Sequence, residues 1–401
     1  MRIGIDVRYL SHGLVGGVHN YVSHFVPELI NLAWDHDIFL YADRKRPFEL
    51  VSVTDRVTVR FLPWTSPLSS VINDFWMWRM MARDRLDVAH FPANYGFGPP
   101  GAHTIITLHD ALNILPLRQS YRGLADGYAR PSARIVAMTT YLHFCSLVAA
   151  RRAALILTDS NHAAGEIARV GGIDRRRILA IPLGLAPDMG RVDAPALLSD
   201  ARARLGINRS FILADALKNP DAVVQAYRLL PPELRQGRQI VFFARRPNTL
   251  PIIQEAVARG EAVVLPRPSR EDLIALYSMA EAFVFPSWIE GFGIPVLEAM
   301  ACGAPVVASD RGSIPEVAGN AALLADARDP AALAEHLITV LRNPDIAGQL
   351  RDRGFARARE FTWQKTAEGI LHSYRIAMGE QVIPRTYPNG LCENKSDTMM
   401  S

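Results

Sequence analysis

Short apolar segments alternate with helical patterns along this chain, and the series runs twice. Arg2–Asp6 opens it as a strand, a glycine-bearing loop follows, and a helical pattern from Asn20 to Leu32 carries Tyr21, Phe25 and Leu29 at i, i+4 and i+8. Strand candidates then recur at Ile38–Tyr41, Val57–Phe61, Val88–Phe91, Thr104–Leu108, Ile156–Thr158 and Ile178–Ile181. After an Asp-, Pro- and Ala-rich stretch, Ala186–Arg204, the pattern restarts at Phe211–Ala214. It continues through Ile240–Phe243, Ala262–Leu265, Ala282–Phe285, Pro305–Ala308 and Ala322–Leu324. Continuous apolar strands separated by helices are the mark of a parallel sheet covered on both faces. Two such series predict two Rossmann-like α/β/α domains, residues 1–186 and 187–363, facing across a cleft, with the ligand site in the cleft. A last helix over 364–378, capped by Thr362, is expected to pack back on the first domain, and the polar stretch 379–401 reads as disordered.

A length of 401 residues suits two domains of this size. The net charge of +4 comes almost wholly from arginine, since lysine occurs only at 45, 218, 365 and 395. The sole basic block is Arg175-Arg176-Arg177, too little for a nucleic-acid binder, while a mild basic excess suits anionic small molecules and anionic lipid surfaces. Cys145, Cys302 and Cys392 lack disulfide or metal spacing, which points to a reducing compartment. No apolar run of about 20 residues is evident, and the first residues read as a strand rather than a leader, so a cytoplasmic protein is expected, with peripheral membrane contact open. Trp64, Trp76 and Trp78 read by default as buried packing residues, with lipid or sugar contact as the alternative.

The chemistry concentrates in Phe285–Gly303. A buried strand turns through Glu290-Gly291-Phe292-Gly293, and a helix follows with Pro295 near its start and Gly303 past its end. Glycines admit a ligand close to the backbone, and a helix N-terminus offers unpaired N–H groups to a phosphate. Glu290 and Glu298 bracket that helix start, and carboxylates accept hydrogen bonds from sugar and ribose hydroxyls. Read on spacing alone, the two glutamates could also be solvated.

Glu290 and Glu298, with seven residues between them, resemble the E-x7-E signature of retaining GT-B glycosyltransferases. The run EGFGIPVLEAMACGAPVVASDRGSIPEVAG is similar to glycosyltransferase family 4, the glycosyl transferases group 1 domain. The resemblance extends over nearly the whole chain. It implies that Glu298 binds the nucleotide ribose and that Glu290 contacts donor-sugar hydroxyls. The backbone of Gly291, Phe292, Gly293, Ile294, Pro295 and Val296 would hold the diphosphate and sugar. Gly16 and Gly17 match the glycine loop facing the donor. Thr107-Leu108-His109-Asp110 matches a strand-end element that puts His109 near the donor sugar. Thr158-Asp159-Ser160-Asn161 and Ile181–Leu185 match the end of the first domain and the linker. The opening residues and HDALNILPL look closest to bacterial mannosyltransferases of polysaccharide and O-antigen assembly.

One element departs from the family. A Gly-Arg pair and then a lysine normally follow the first strand of the second domain; here the strand leads into Asp215-Ala216-Leu217-Lys218-Asn219-Pro220. Lys218 fits the lysine, the arginine is missing, and Asp215 lies where a cation is expected. Lys218 precedes a helix start, with Asn219 as N-cap, where a cation opposes the helix dipole unless an anion is bound. The alternatives are a diphosphate ligand or a solvated loop lysine. Arg245, after the next strand, would replace the missing cation, or be an exposed surface residue beside Arg246. His90 and His103 read as structural. Asp35-His36-Asp37 reads as a helix-exit loop rather than a metal motif, and no metal or cofactor is expected.

The function expected is transfer of a hexose, with retention, from a nucleoside diphosphate sugar to a glycan or lipid-linked acceptor. His109, Glu290 and Lys218 would be catalytic. The alternative from another class is a non-catalytic GT-B protein that binds nucleotide or glycan for a partner enzyme. An epimerase or glycogen-type synthase fits the length and the GFGIPVLEAMACG wording less well.

Overall fold

A computed structural model describes residues 1–11, 16–46, 55–119, 132–244 and 250–380. The chain divides into two compact units, Met1–Gly184 joined by the chain from Thr362 onward, and Leu185–Phe361.

The first unit holds seven parallel strands: β1 (Arg2–Asp6), β2 (Asp37–Asp43), β3 (Val57–Leu62), β4 (Val88–Phe91), β5 (His103–Thr107), β6 (Leu155–Thr158) and β7 (Ile178–Ala180). Their order is β3-β2-β1-β4-β5-β6-β7, so the strand order reverses at β1/β4. Phe39, Tyr41, Phe91, Ile106 and Ile156 form part of a core buried under helices. The helix Trp363–Ala377, started by the Thr362 hydroxyl accepting from the Lys365 amide, belongs to this unit. Its Ala367, Ile370 and Tyr374 are fully buried.

The second unit repeats the plan with six parallel strands: β8 (Ser210–Asp215), β9 (Arg238–Ala244), β10 (Ala262–Pro266), β11 (Ala282–Phe285), β12 (Val306–Ser309) and β13 (Ala322–Ala325). The order β10-β9-β8-β11-β12-β13 reverses at β8/β11. Ile212, Phe242, Val284, Val307, Leu333 and Leu337 are among its core residues. Open α/β sheets bind ligands beyond the carboxyl ends of the two strands where the order reverses. Here those strands are β8, which leads to Lys218, and β11, which leads to Glu290.

Two expectations need correction. The helix Ala133–Arg152 is long and apolar enough to cross a bilayer by length and composition, although no such run was expected. No unbroken apolar run announces it, because Thr139, Thr140, Tyr141, His143 and Ser146 interrupt the stretch, while its arginines sit at the two ends. Trp76 is not buried but 56% exposed. Arg245, residues 381–401 of the tail and residues 120–131 of the loop after β5 lie outside the described residues.

Candidate functional site

In the second unit the site grows from the β8/β11 pair. β11 ends at Phe285, and the loop turns back so that the Ser287 hydroxyl donates to Glu290 Oε1 at 2.7 Å. Lys218 Nζ lies 2.6 Å from the same carboxylate oxygen. Glu290 is largely enclosed, its side chain 13% exposed, while Lys218 keeps 33%. The Glu290 loop is braced from the β12 side: Ser313 Oγ donates to the carbonyls of Glu290 and Phe292 at 3.0 and 2.8 Å. Gly312 approaches so closely that a Cβ there would stand 3.0 Å from the Glu290 carbonyl oxygen.

Gly293 then caps the helix Ile294–Ala301 with φ of +101°, a left-handed conformation that costs any L-residue energy. Phe292, Pro295 and Val296 turn their side chains into the protein, Phe292 edge-on to Phe361 at 5.8 Å between ring centroids. What the segment offers a ligand is therefore backbone at the positive end of a helix dipole, led by the Ile294 amide, since Pro295 carries no N–H and the Val296 amide donates to the Gly293 carbonyl at 3.0 Å. Glu298, one turn in, is buried; the Tyr277 hydroxyl and Arg270 Nη1 both lie 3.5 Å from its carboxylate. Arg270 also grips Asp188 with two hydrogen bonds of 2.8 Å. Sequence reading gives no role to Arg270, Ser287 or Ser313: Arg270 and Ser313 act on residues 28 and 23 positions away in the chain, and Ser287 reaches Glu290 only because the loop folds back on itself.

The β8 loop differs from expectation in two ways. Asn219 precedes the helix Pro220–Leu229 but does not cap it. Its φ is +53°, and its amide instead donates to the carbonyls of Pro286 and Ala327, at 3.1 and 2.9 Å. This ties the Lys218 loop to the ends of two other strand loops. Asp215 is buried, and its Oδ1 accepts from the Leu217 amide at 2.8 Å, so the carboxylate in the arginine's expected place serves the loop's own turn.

In the first unit, Gly16 is the extended N-cap of the helix Gly17–Leu32, and Gly16 and Gly17 both border open space. His109 follows β5. Its Nδ1 lies 3.0 and 3.1 Å from the two Asp159 oxygens, and its Nε2 lies 3.2 Å from the Pro92 carbonyl. Tyr21 stands edge-on to the ring at 5.0 Å. Acceptors face both ring nitrogens, so both positions favour an N–H, which is the imidazolium form. Burial opposes that charge. The Asp159 carboxylate, with Asp110 and the Pro92 carbonyl, outweighs it and raises the pKa above the ordinary histidine value. Asp159 is thus the partner that sequence reading named within a motif without a role. His90 is a satisfied core residue: Tyr374 and Thr107 hydroxyls lie 2.8 and 2.9 Å from its ring nitrogens, and burial pushes its pKa down to about 3.

Two parallel doubly wound units, with an E-x7-E pair on a phosphate-type helix start in the second, define a GT-B glycosyltransferase. The first unit matches the family profile "Glycosyltransferase Family 4" over residues 15–188, and the second matches "Glycosyl transferases group 1" over residues 214–359. The chain belongs to this glycosyltransferase family, whose members are glycosyl-transferring enzymes of the EC 2.4 class. It is 34% identical over 254 residues to the O-antigen chain mannosyltransferase B of Escherichia coli, a match covering 61% of this chain and 66% of that one. It is 30% identical over 282 residues to the serotype-specific mannosyltransferase WbdA of Escherichia coli, covering 68% of this chain and 33% of the relative. The matches thus span between a third and two thirds of these relatives' length. Among solved structures, the sucrose-phosphate synthase of Thermosynechococcus elongatus superposes with a TM-score of 0.66 at 18% identity, over 94% of this chain and 99% of that one. Anabaena HepE in complex with UDP and glucose gives 0.63 at 15% identity, over 93% and 99%. These two likenesses show the fold.

Proposed function

We propose that this chain is a retaining hexosyltransferase of cell-envelope polysaccharide assembly. It takes a hexose, mannose in view of its mannosyltransferase relatives, from a nucleoside diphosphate sugar to a hydroxyl of a glycan or lipid-linked acceptor. It works in the cytoplasm, at the inner face of the cytoplasmic membrane. The observation that carries this reading is the meeting of Lys218 and Glu290. They come from the loops after the two strands at which the sheet order reverses, and they pair at 2.6 Å on the Glu290 loop that leads into the helix Ile294–Ala301.

In this reading the donor diphosphate takes Lys218 and the Gly293–Ile294 backbone at the start of the helix Ile294–Ala301. Glu290, released from the ion pair, accepts hydrogen bonds from donor-sugar hydroxyls, and Glu298, held by Tyr277 and Arg270, accepts from the ribose. As the bond from the anomeric carbon to the diphosphate oxygen breaks, negative charge grows on that oxygen, where Lys218 and the helix start neutralise it. The acceptor oxygen bonds to the same face of the sugar, and its proton passes to the departing phosphate oxygen. No metal is required. His109, whose imidazolium form Asp159 and the Pro92 carbonyl favour, is the catalytic residue of the first unit in this reading.

A thermal-shift screen with UDP, GDP, dTDP, ADP and their sugars tests the donor class; ligand at about 100 times its dissociation constant adds roughly 2.7 kcal/mol. A selective shift that Glu298→Ala abolishes supports the assignment. Full donor affinity and activity in Glu298→Ala would refute it. A second reading, a non-catalytic nucleotide- or glycan-binding protein, is favoured by Asp215 in place of the family arginine. Nucleotide binding without any donor hydrolysis or transfer would decide for it.

A further inference from the structure

The helix Pro67–Arg83 is built the wrong way round for a core helix. It turns Asn73, Met77 and Met81 inward and presents Leu68, Val71, Ile72, Phe75 and Trp76 outward, at i, i+3, i+4, i+7 and i+8. Large apolar side chains in one exposed stripe mark an interaction surface rather than chance exposure. The stripe continues into Arg79, whose guanidinium lies 3.6 Å from the Trp76 ring centroid. At Phe75 it meets Tyr141 of the helix Ala133–Arg152, with ring centroids 6.3 Å apart. That second helix buries Cys145, Ser146, Ala149 and Ala150 but exposes Ile135, Met138 and Phe144. By length and composition it is apolar enough for a bilayer, while this buried side keeps it part of the folded unit.

Charge identifies the occupant. The two helices carry Arg79, Arg83, Arg134, Arg151 and Arg152 against one acidic residue, Asp74. That carboxylate is engaged: Arg8 lies 2.9 Å away, and the hydroxyls of Tyr95 and Tyr141 donate to it at 2.8 and 2.7 Å. The face is therefore apolar and cationic, with aromatic and arginine side chains stacked as they are at a membrane–water boundary. A second copy of the chain is disfavoured, because a two-fold contact would set these arginines against their own images.

We propose that the faces of Pro67–Arg83 and Ala133–Arg152 dock the first unit on an anionic lipid surface, the apolar stripe entering the headgroup boundary and the arginines binding lipid phosphates. This deepens the membrane-side location given above and rests on that part of the reading; its test reads lipid binding alone, independent of transfer. The purified full chain is floated with phosphatidylcholine vesicles, with and without phosphatidylglycerol, at low and high salt. The same is done for Ile72→Glu/Trp76→Glu and for Arg79→Glu/Arg83→Glu, with circular dichroism to confirm folding and sedimentation equilibrium to read mass. The expected result is flotation of the wild type with anionic vesicles only, weakened by salt, and reduced about tenfold or more in both folded double variants. Equal flotation of variants and wild type, equal binding to neutral vesicles, or no binding by the folded wild type overturns the proposal. A wild-type dimer that Ile72→Glu/Trp76→Glu converts to monomer also overturns it, assigning the face to a second copy.

Discussion

Lys218 and Glu290 show how a residue's partner gives it meaning. Alone, Lys218 is a loop cation before a helix start, where the dipole disfavours it. Beside a largely enclosed carboxylate it becomes half of an ion pair that an anionic ligand can exchange. Lys218→Met should lower kcat for transfer by about 10²–10³-fold, the usual scale for removing one donor from a developing oxyanion, with a folded protein. Steady-state kinetics and a melting curve check this. At His109 the paired acceptors make a second prediction. Since its folded pKa is raised above the ordinary ~6.5, its charge contributes stability that is fully present below that value and is lost as pH rises through the folded pKa. Asp159→Asn should move the His109 titration to lower pH and remove that contribution at neutral pH. An NMR titration of the ring that left the pKa unchanged would contradict the dyad. The motif around His109 was legible in the sequence. Its partner's role was not, because Asp159 is 50 residues away and reaches it only through the β5–β6 pairing.

Among the elements, the loop between β11 and the helix Ile294–Ala301 holds the most information per residue. Its glycines, proline and following apolar run announced a strand–turn–helix, and the helix begins within a residue of the expected place. Gly293→Ala would put a side chain at φ +101° and cost about 1–2 kcal/mol of stability. The larger consequence is expected in donor affinity, because the backbone it shapes would hold the diphosphate. Nucleotide titration alongside chemical denaturation separates the two effects. Asn219 marks the limit of local reading. Its position next to Pro220 looked like a helix cap, but its side chain spans to Pro286 and Ala327, which no local rule anticipates.

For the whole molecule, the chain's last described helix returns to the first unit, so that unit is made of residues far apart in sequence. Tyr374 sits 2.8 Å from His90 across 284 residues, and both are fully buried. A chain ending at Phe361 should lose cooperative folding of the first unit while the second still binds nucleotide. Two-transition calorimetry with and without nucleotide reads this directly. If the truncated first unit melted as it does in the intact chain, the helix would be dispensable.

What the sequence determined by itself was periodic or local: two series of apolar strands, the helix starts marked by Thr362 and Pro295, and the carboxylate pair spaced for one loop and one helical turn. Such features depend on neighbours within a few residues, so they survive without coordinates. The tertiary structure alone decided which charges meet. It closed Lys218 on Glu290, Asp159 on His109 and Arg270 on Glu298, and it turned Trp76 outward. The physical reason is that parallel strands bring together loop ends separated by whole helices. Side-chain partners in such a sheet are set by strand order, which no single stretch of sequence records.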